Sequence, residues 1–384
     1  MCEVLMYCAG VRFYGTKCFT ERAMKPAFKG DTSMSFNKLA TAVTAIGALV
    51  ALSACGGSSE SDGASSEITV MGYAALFEDQ YKAAVIEKFE EEHPDLSINY
   101  IPAQNSAEML GKLRSEASNP SIDVAILDTS VASTGISESL FEKLDEEKIP
   151  NLANVVELGR NADGYGPAVT FDNLTLLYNT ENVDTPPKET TDLFDAPDDS
   201  VAIPAPPDIQ GLALTILTAE SMGVDFEQDV TPAVEELSKL TPKVTTWEPQ
   251  PDVYQNVISG QSDYAIGWNA RSQFYADDSD GVLGTVAPEN GVVFQINTIN
   301  AVKDSPAADQ ASEFIDYALS KEAQEAFAQQ LFYAPTVENA EIPQDVSDRV
   351  VKADDPRIVD VDWTWMADER DGWTDQWRRQ VIGG

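Results

Sequence analysis

Basic residues, cysteine and histidine are what this sequence has little of. Its 384 residues include 25 Lys and Arg against 64 Asp and Glu, with one His and four Cys. Residues 1–54 hold six of the basic and three of the acidic residues, which leaves 19 against 61, a net charge of −42, for the rest. Such a field repels nucleic acid and anionic headgroups and draws cations. The acidic residues are spread along the chain rather than clustered, so a solvated surface of the kind found in salty habitats explains them equally well. Beyond residue 54 there is one Cys, Cys55, and one His, His93, in the polar run Glu90-Glu91-Glu92-His93-Pro94. A disulfide framework and a His/Cys metal set are excluded, and with them any reason to expect a metal or cofactor. Cys- and His-based nucleophilic catalysis lose their parts, and no Gly-x-Ser-x-Gly motif occurs. Carboxylate chemistry stays open.

The one long apolar run, Leu39 to Leu52, falls short of the ~20 residues a membrane span needs. Lys38 precedes it, Leu52-Ser53-Ala54-Cys55 closes it, and Gly56-Gly57-Ser58-Ser59-Glu60 follows. A charged flank, an apolar middle and small residues at the end make a secretory signal peptide. Leu-Ser-Ala-Cys resembles the lipobox of bacterial lipoproteins, which implies cleavage before Cys55, its lipidation, and a membrane anchor. Residues 34–54 thus read as a lipoprotein signal peptide and 55–66 as a flexible tether of Gly, Ser, Asp and Glu. Residues 1–33 carry Cys2, Cys8 and Cys18 without periodicity and read as an extension from too early a start codon, Met34 being the better start.

Some 330 residues remain, enough for two domains of ordinary size. Ile68–Met71, Leu96–Ile101 and Ile122–Leu127 read as strands, with helices over 77–92 and from a Ser106 cap through Ser115 between them. Strand and helix in alternation predict a parallel α/β sheet, and in such sheets ligands sit at the carboxyl ends of strands. That singles out Tyr73 and Asp128-Thr129-Ser130. Tyr165–Val169 and Leu174–Asn179 read as two further strands separated by Asp172-Asn173. Val201–Pro204 is another, and the loop 205–211, with Asp208 and Gln210, opens a helix over 212–222 whose N-terminus offers backbone N–H groups to a ligand. Helices over 234–240 and 253–259, strands Tyr264–Trp268 and Val292–Asn300, and amphipathic helices over 307–319 and 321–331 complete the pattern.

This order of elements behind a lipobox resembles the solute-binding proteins of ABC importers. Gly260-Gln261-Ser262-Asp263-Tyr264-Ala265-Ile266-Gly267-Trp268-Asn269, the strand from Pro288 to Asn297, and the Trp-rich stretch from Asp362-Trp363 to Gln376-Trp377 are similar to the spermidine/putrescine-binding family. The resemblance implies a two-lobed, type II periplasmic-binding-protein-like α/β fold with a ligand cleft between lobes. Lobe 1 would hold 67–172 plus 297–330, and lobe 2 would hold 173–296 plus 331–384. It implies a small-molecule solute, an ABC permease and its ATPase as partners, and a protein that is not an enzyme, works as a monomer and sits lipid-anchored on the extracellular face of the membrane or in the periplasm.

The resemblance places Trp268 against the ligand, where an aromatic face attracts an ammonium by about 0.5–2 kcal/mol; a core Trp is the alternative. Asn269 would hydrogen-bond the ligand or cap a turn, and Tyr73 would line the cleft or rest on the surface. The family's Trp and, two residues on, its amine-binding Asp are Gln295 and Asn297 here. A buried ammonium without a counter-charge is costly, so Asp128, Asp172 or Asp208 would have to supply it, each being otherwise a cap or turn carboxylate. Arg271, in a chain poor in cations, would clamp a carboxylate or phosphonate, or else form a surface salt bridge. The solute is therefore polyamine-like by family and a zwitterionic amino-acid derivative by departure from it. Iron-binding relatives use adjacent tyrosines where Phe332-Tyr333 stands, which disfavours ferric iron. Two other functions remain open: a carboxylate-dependent extracellular hydrolase, and a sensory lipoprotein of the same fold without an importer.

Overall fold

The computed structural model describes residues 66–383, so the leader, Cys55 and the tether up to residue 65 lie outside the described residues. The described chain runs β1 (Glu67–Tyr73), α1 (Leu76–Tyr81), α2 (Glu87–Glu92), β2 (Ser97–Ala103), α3 (Ser106–Glu116), β3 (Val124–Asp128) and α4 (Thr129–Ser137). It continues through β4 (Ala168–Asn179), β5 (Val201–Ala202), α5 (Ile209–Met222), α6 (Thr231–Leu237), β6 (Val244–Thr246), α7 (Val253–Ile258), β7 (Tyr264–Trp268), α8 (Asn269–Asp278) and β8 (Leu283–Val286). Then follow β9 (Phe294–Ala301), α9 (Ala308–Ala318), α10 (Lys321–Leu331), α11 (Gln344–Ser347) and α12 (Trp363–Trp377). The strands lie in the order β2-β1-β3-β9-β4-β7-β5-β6, with β8 on β4.

β1 runs parallel to both β2 and β3, as the strand–helix alternation predicts. A π-helical turn, Lys82–Ile86, joins α1 to α2, so 76–92 is one helical run that buries Phe77, Tyr81, Val85, Ile86 and Phe89. These residues form the first core with Val124, Ile126 and the apolar faces of α9 and α10. A second core gathers Leu174, Leu176, Val201, Ile266 and the interior face of α5 against Trp363, Met366, Trp373 and Trp377 of α12.

Between the two halves run β4 and β9. The first half of β4 pairs antiparallel with β9 (Asp172 opposite Gln295), and its second half pairs with β7 and β8. β9 in turn pairs with β3, Asp128 opposite Asn297. Here the sequence expectation of two strands split at Asp172-Asn173 is wrong. The polar pair reads as a turn, but both residues are buried inside one twelve-residue strand. Their side chains are satisfied there: Asp172 Oδ1 accepts from Ala270 N at 3.0 Å, and Asn173 Nδ2 donates to Leu174 O at 3.0 Å. A second correction concerns Ser106. Asn105 is the cap of α3, its side chain accepting from Glu108 N at 2.9 Å, and Ser106 is the first helical residue.

α12 is tied to α5 by a short chain of hydrogen bonds. Trp377 Nε1 donates to Thr215 Oγ1 at 2.9 Å, and Thr215 Oγ1 donates to Gly211 O at 2.8 Å in the first turn of α5. Gly211 is required at this place: a Cβ there would lie 2.4 Å from Pro206 Cδ and 2.8 Å from Pro204 O. Trp377 is fully buried. Trp377→Ala is expected to cost about 3–5 kcal/mol in urea denaturation, and Trp377→Phe, which keeps the ring burial but loses the donor, about 1 kcal/mol. Equal losses for the two variants would show that the Thr215 bond, not packing, dominates.

Candidate functional site

The carboxyl ends of β1, β3 and β7, the centres of β4 and β9, and the N-terminus of α5 surround a cleft of about 1240 Å³. Nine of the eleven sequence-predicted site residues line it: Tyr73, Asp128, Asp172, Asp208, Gln210, Trp268, Arg271, Gln295 and Asn297. Thr129 and Asn269 do not. Asn269 is buried elsewhere, its Nδ2 donating to Arg349 O at 2.9 Å and its Oδ1 accepting from Gln273 Nε2 at 3.0 Å. Thr129 is the first residue of α4, and its predecessor Asp128 is the one that faces the cleft.

Asn297 is spoken for within the protein. Tyr73 donates its hydroxyl to Asn297 Oδ1 at 2.9 Å, and Asn297 Nδ2 donates to Thr170 Oγ1 at 2.9 Å. Ser106 Oγ lies 2.8 Å from the Tyr73 hydroxyl and accepts from Asp128 N at 3.0 Å. With Tyr73 donating to Asn297, Ser106 donates to Tyr73, and the network closes. Burial, with the Asp128 charge adding to it, pushes the Tyr73 hydroxyl well up, so it acts as a neutral donor. Ser106, freed from capping α3, is therefore a site residue that the sequence reading missed.

The three cleft aspartates each cap a helix. Asp128 accepts from Ser130 N at 2.9 Å and from Ser130 Oγ at the start of α4. Asp208 accepts from Gln210 N at 2.8 Å at the start of α5. α8 has no cap of its own, and Asp172 reaches it from β4 through Ala270 N. Each carboxylate thus meets the positive end of a helix dipole. Burial still raises all three. Asp208 stays wetted by the cleft, whereas Asp172 is 3% exposed and is pushed up to about 7.

Trp268 stands between the second core and the cleft. It is packed in the second core and also touches the cleft, while its backbone N accepts nothing and donates to the Tyr254 hydroxyl at 3.0 Å. Arg271, in the first turn of α8, is exposed to the cleft and forms neither a salt bridge nor a side-chain hydrogen bond among the described residues. The surface salt bridge is thus not what it makes. Tyr254, Tyr333 and Asp172 are the groups that act most strongly on its charge.

Sequence reasoning missed Tyr333, Trp247, Arg370 and Arg378, all of which line the cleft. Scarcity of cations, the signal that drew attention to Arg271, applies equally to Arg370 and Arg378. Both lie on or just after α12, in the Trp-rich stretch. Among the described residues no group of three or more His, Cys, Asp or Glu could hold a metal ion, and no helix is long and apolar enough to cross a membrane.

A two-lobed α/β fold whose cleft is crossed by a strand pair and lined by polar groups defines a solute receptor. The chain belongs to the bacterial extracellular solute-binding protein family, whose model matches residues 84–354. Solved structures agree. An ABC transporter structure from Clostridium perfringens is 29% identical with a TM-score of 0.66, and the match covers 82% of this chain and 99% of that one. A putative extracellular solute-binding protein from Bordetella parapertussis is 19% identical with a TM-score of 0.72, covering 82% and 99%. The spermidine/putrescine ABC transporter substrate-binding protein of Streptococcus pneumoniae is 16% identical with a TM-score of 0.67, covering 83% and 99%. No curated protein sequence matches. The protein is an extracellular solute-binding protein of the ABC-transporter type, with the two-lobed periplasmic-binding-protein-like fold.

The raised Asp172 gives a stability prediction. An unfolded Asp ionises near 3.8, the folded one near 7. Between those values the folded state keeps a proton that the unfolded state has lost, so this group lowers stability as pH rises from about 4 to about 7 and adds no slope above. Asp172→Asn keeps an acceptor for Ala270 N and removes the titration. Its melting temperature is expected to gain on the wild type steadily across that window. Parallel curves would mean that Asp172 ionises normally.

Proposed function

We propose that this protein is the lipid-anchored capture component of an ABC importer, held at the membrane through Cys55, and that it takes a small solute bearing an anionic group, a zwitterionic amino-acid derivative rather than a polyamine. The observation that carries this reading is the Arg271 guanidinium, open to the cleft without a protein partner. Arg271 forms no ion pair among the described residues, although Asp172 acts on its charge, and a ligand carboxylate, phosphonate or phosphate would give it a bidentate partner. The polyamine reading has Asp128, Asp172 and Asp208 in its favour, but each is engaged at a helix N-terminus. The position where polyamine binders carry a carboxylate is Asn297, bonded on both sides.

A cleft of about 1240 Å³ exceeds the roughly 300–1000 Å³ that encloses a drug-sized ligand. A small solute fills it only when the lobes close. The lobe boundaries we propose, 172/173 and 296/297, fall in the middle of β4 and β9, which makes these strands the hinge. The protein performs no chemistry, acts as a monomer, and hands its solute to a permease driven by a separate ATPase.

Calorimetry with two panels tests this, one of polyamines and one of amino acids, γ-amino acids and aminophosphonates. Hits are expected in the second panel only, and Arg271→Ala should weaken them by about 2–5 kcal/mol, some thirtyfold or more. Polyamine binding that survives Arg271→Ala would overturn the reading. In X-ray scattering, the bound solute is expected to lower the radius of gyration, and an unchanged value would count against hinge closure.

A further inference from the structure

Asp172 and Arg271 line the same cleft and are built close together. The first turn of α8 carries Arg271, and the carboxylate of Asp172 is fastened to that turn through Ala270 N at 3.0 Å. Asp172 also stands opposite Gln295 in the ladder between β4 and β9, so their side chains rise from one face of the sheet, and both line the cleft. Among the described residues Asp172 and Arg271 form no ion pair, yet each acts on the charge of the other. Arg271 acts on Asp208 as well, but Asp208 caps α5 and also feels Arg370. Asp172 is the one carboxylate among the groups that act most strongly on Arg271. Around Asp172 stand Arg271 on α8, Tyr254 on α7, Tyr333 after α10 and the neutral Gln295 on β9. Burial pushes both tyrosine hydroxyls up, so they stay uncharged at neutral pH. Arg271 is the one cation of this cluster, and Asp172 the one group in it that titrates near neutrality.

We propose, building on the anionic-solute reading above, that the cleft takes up its anion together with a proton, the anion on Arg271 and the proton on Asp172. The sign follows from the arrangement. Burial pushes the Asp172 carboxyl up, while the bond from Ala270 N and the charge of Arg271 hold it back, leaving it at about 7. A bound anion masks Arg271 and adds a negative charge of its own. Both effects disfavour the ionised carboxylate, so Asp172 holds its proton more tightly in the complex. Linkage is reciprocal, and a proton on Asp172 tightens the anion by the same factor. Asp172 does not have to touch the solute, because its charge acts through the enclosed space. It sets the affinity, and Arg271 makes the contact.

Below about pH 6 Asp172 already holds its proton, and this group adds no slope to the affinity. Above about pH 7 the protein must pick a proton up as the anion binds, and affinity falls by up to about tenfold per pH unit until the complex also releases it. An anion whose own charge is constant therefore shows proton uptake on the alkaline side only. A polyamine gives the opposite sign: a cation beside Asp172 favours the ionised carboxylate, and its binding expels a proton.

Calorimetry on the whole protein, repeated in Tris and in triethanolamine, counts the protons exchanged on binding. The probes are glutamate, 4-aminobutyrate and glycine betaine, whose charges stay fixed between about pH 5.5 and about pH 8. At least one is expected to bind, with about one proton taken up per solute at about pH 8 and none at about pH 5.5. Asp172→Asn should abolish the uptake, leave the affinity at about pH 5.5 unchanged and tighten it about tenfold at about pH 8. The proton count of the wild type stands whether or not the variant folds. Binding without proton uptake at the alkaline pH, uptake that survives Asp172→Asn, or binding of none of the three probes overturns the proton link. If a probe binds, loses its binding in Arg271→Ala and exchanges no proton, the link falls and the anionic-solute reading stands. If spermidine binds with proton release and none of the three probes binds, both fall.

Discussion

The pairing of β4 with β9 is the constraint on which the rest of the molecule depends. Each strand belongs to both halves of the sheet, β4 reaching β7 and β8, and β9 reaching β3. A strand buried on both faces is ordinarily apolar. These two carry Asp172, Asn173, Gln295 and Asn297 where they meet, because their centre is also the floor of a cleft. Every one of the polar groups must find a partner or face the solute. Asp172 finds the N-terminus of α8, and Asn297 finds Tyr73 and Thr170. Asp172, Asn173 and Asn297 are thus held by hydrogen bonds within the protein, and other polar groups stand on the walls.

Those walls use helix N-termini in an unexpected way. Three helices aim their positive ends at the cleft, a common arrangement for binding an anion through backbone N–H groups. Here each N-terminus is already occupied by an aspartate of the chain. Under the proposed reading a guanidinium group, rather than backbone N–H groups, meets an anion, and the aspartates turn what would be three positive ends into hydrogen-bond acceptors. A cleft with acceptors and cations interleaved suits a solute that carries both signs of charge, and the overall net charge of −39 says little about it. Whole-chain charge describes the solvated surface; the sign of the site is set by a handful of enclosed groups.

Much of this was legible in the sequence, for identifiable reasons. Strand β7 and helix α10 lie at the residues that periodicity predicts, because apolar spacing reports a buried face directly. The strand-end rule led to Tyr73 and Asp128, since topology alone brings such ends together, and the family resemblance led to Trp268. What could not be read was direction. Asn269 follows Trp268 by one residue and points into a different environment, held by Arg349 and Gln273. Asp172-Asn173 has the composition of a turn, and only its partner strand shows it to be the centre of β4. Ser106 has the composition of a cap, and Asn105 performs that role one residue earlier. Arg370 was hidden differently. It lies almost a hundred residues beyond Arg271, on a helix whose tryptophans attract notice as core, and no local pattern says that one face of that helix borders the cleft.

The tie between α12 and α5 has a consequence for how the site comes into being. The second core joins residues around 174, 213 and 266 to Trp377 and Val381, contacts that span up to some two hundred positions. Contacts so distant along the chain form late, after the entropy of closing long loops has been met. A chain threaded across a membrane from its N-terminus delivers α5 long before α12. Until Trp377 reaches Thr215, the first turn of α5 lacks its anchor through Gly211 and the cleft lacks Arg370. The half formed by β1 to β3 can begin to order as it emerges, whereas the lining of the cleft is complete only when the last helix has joined it.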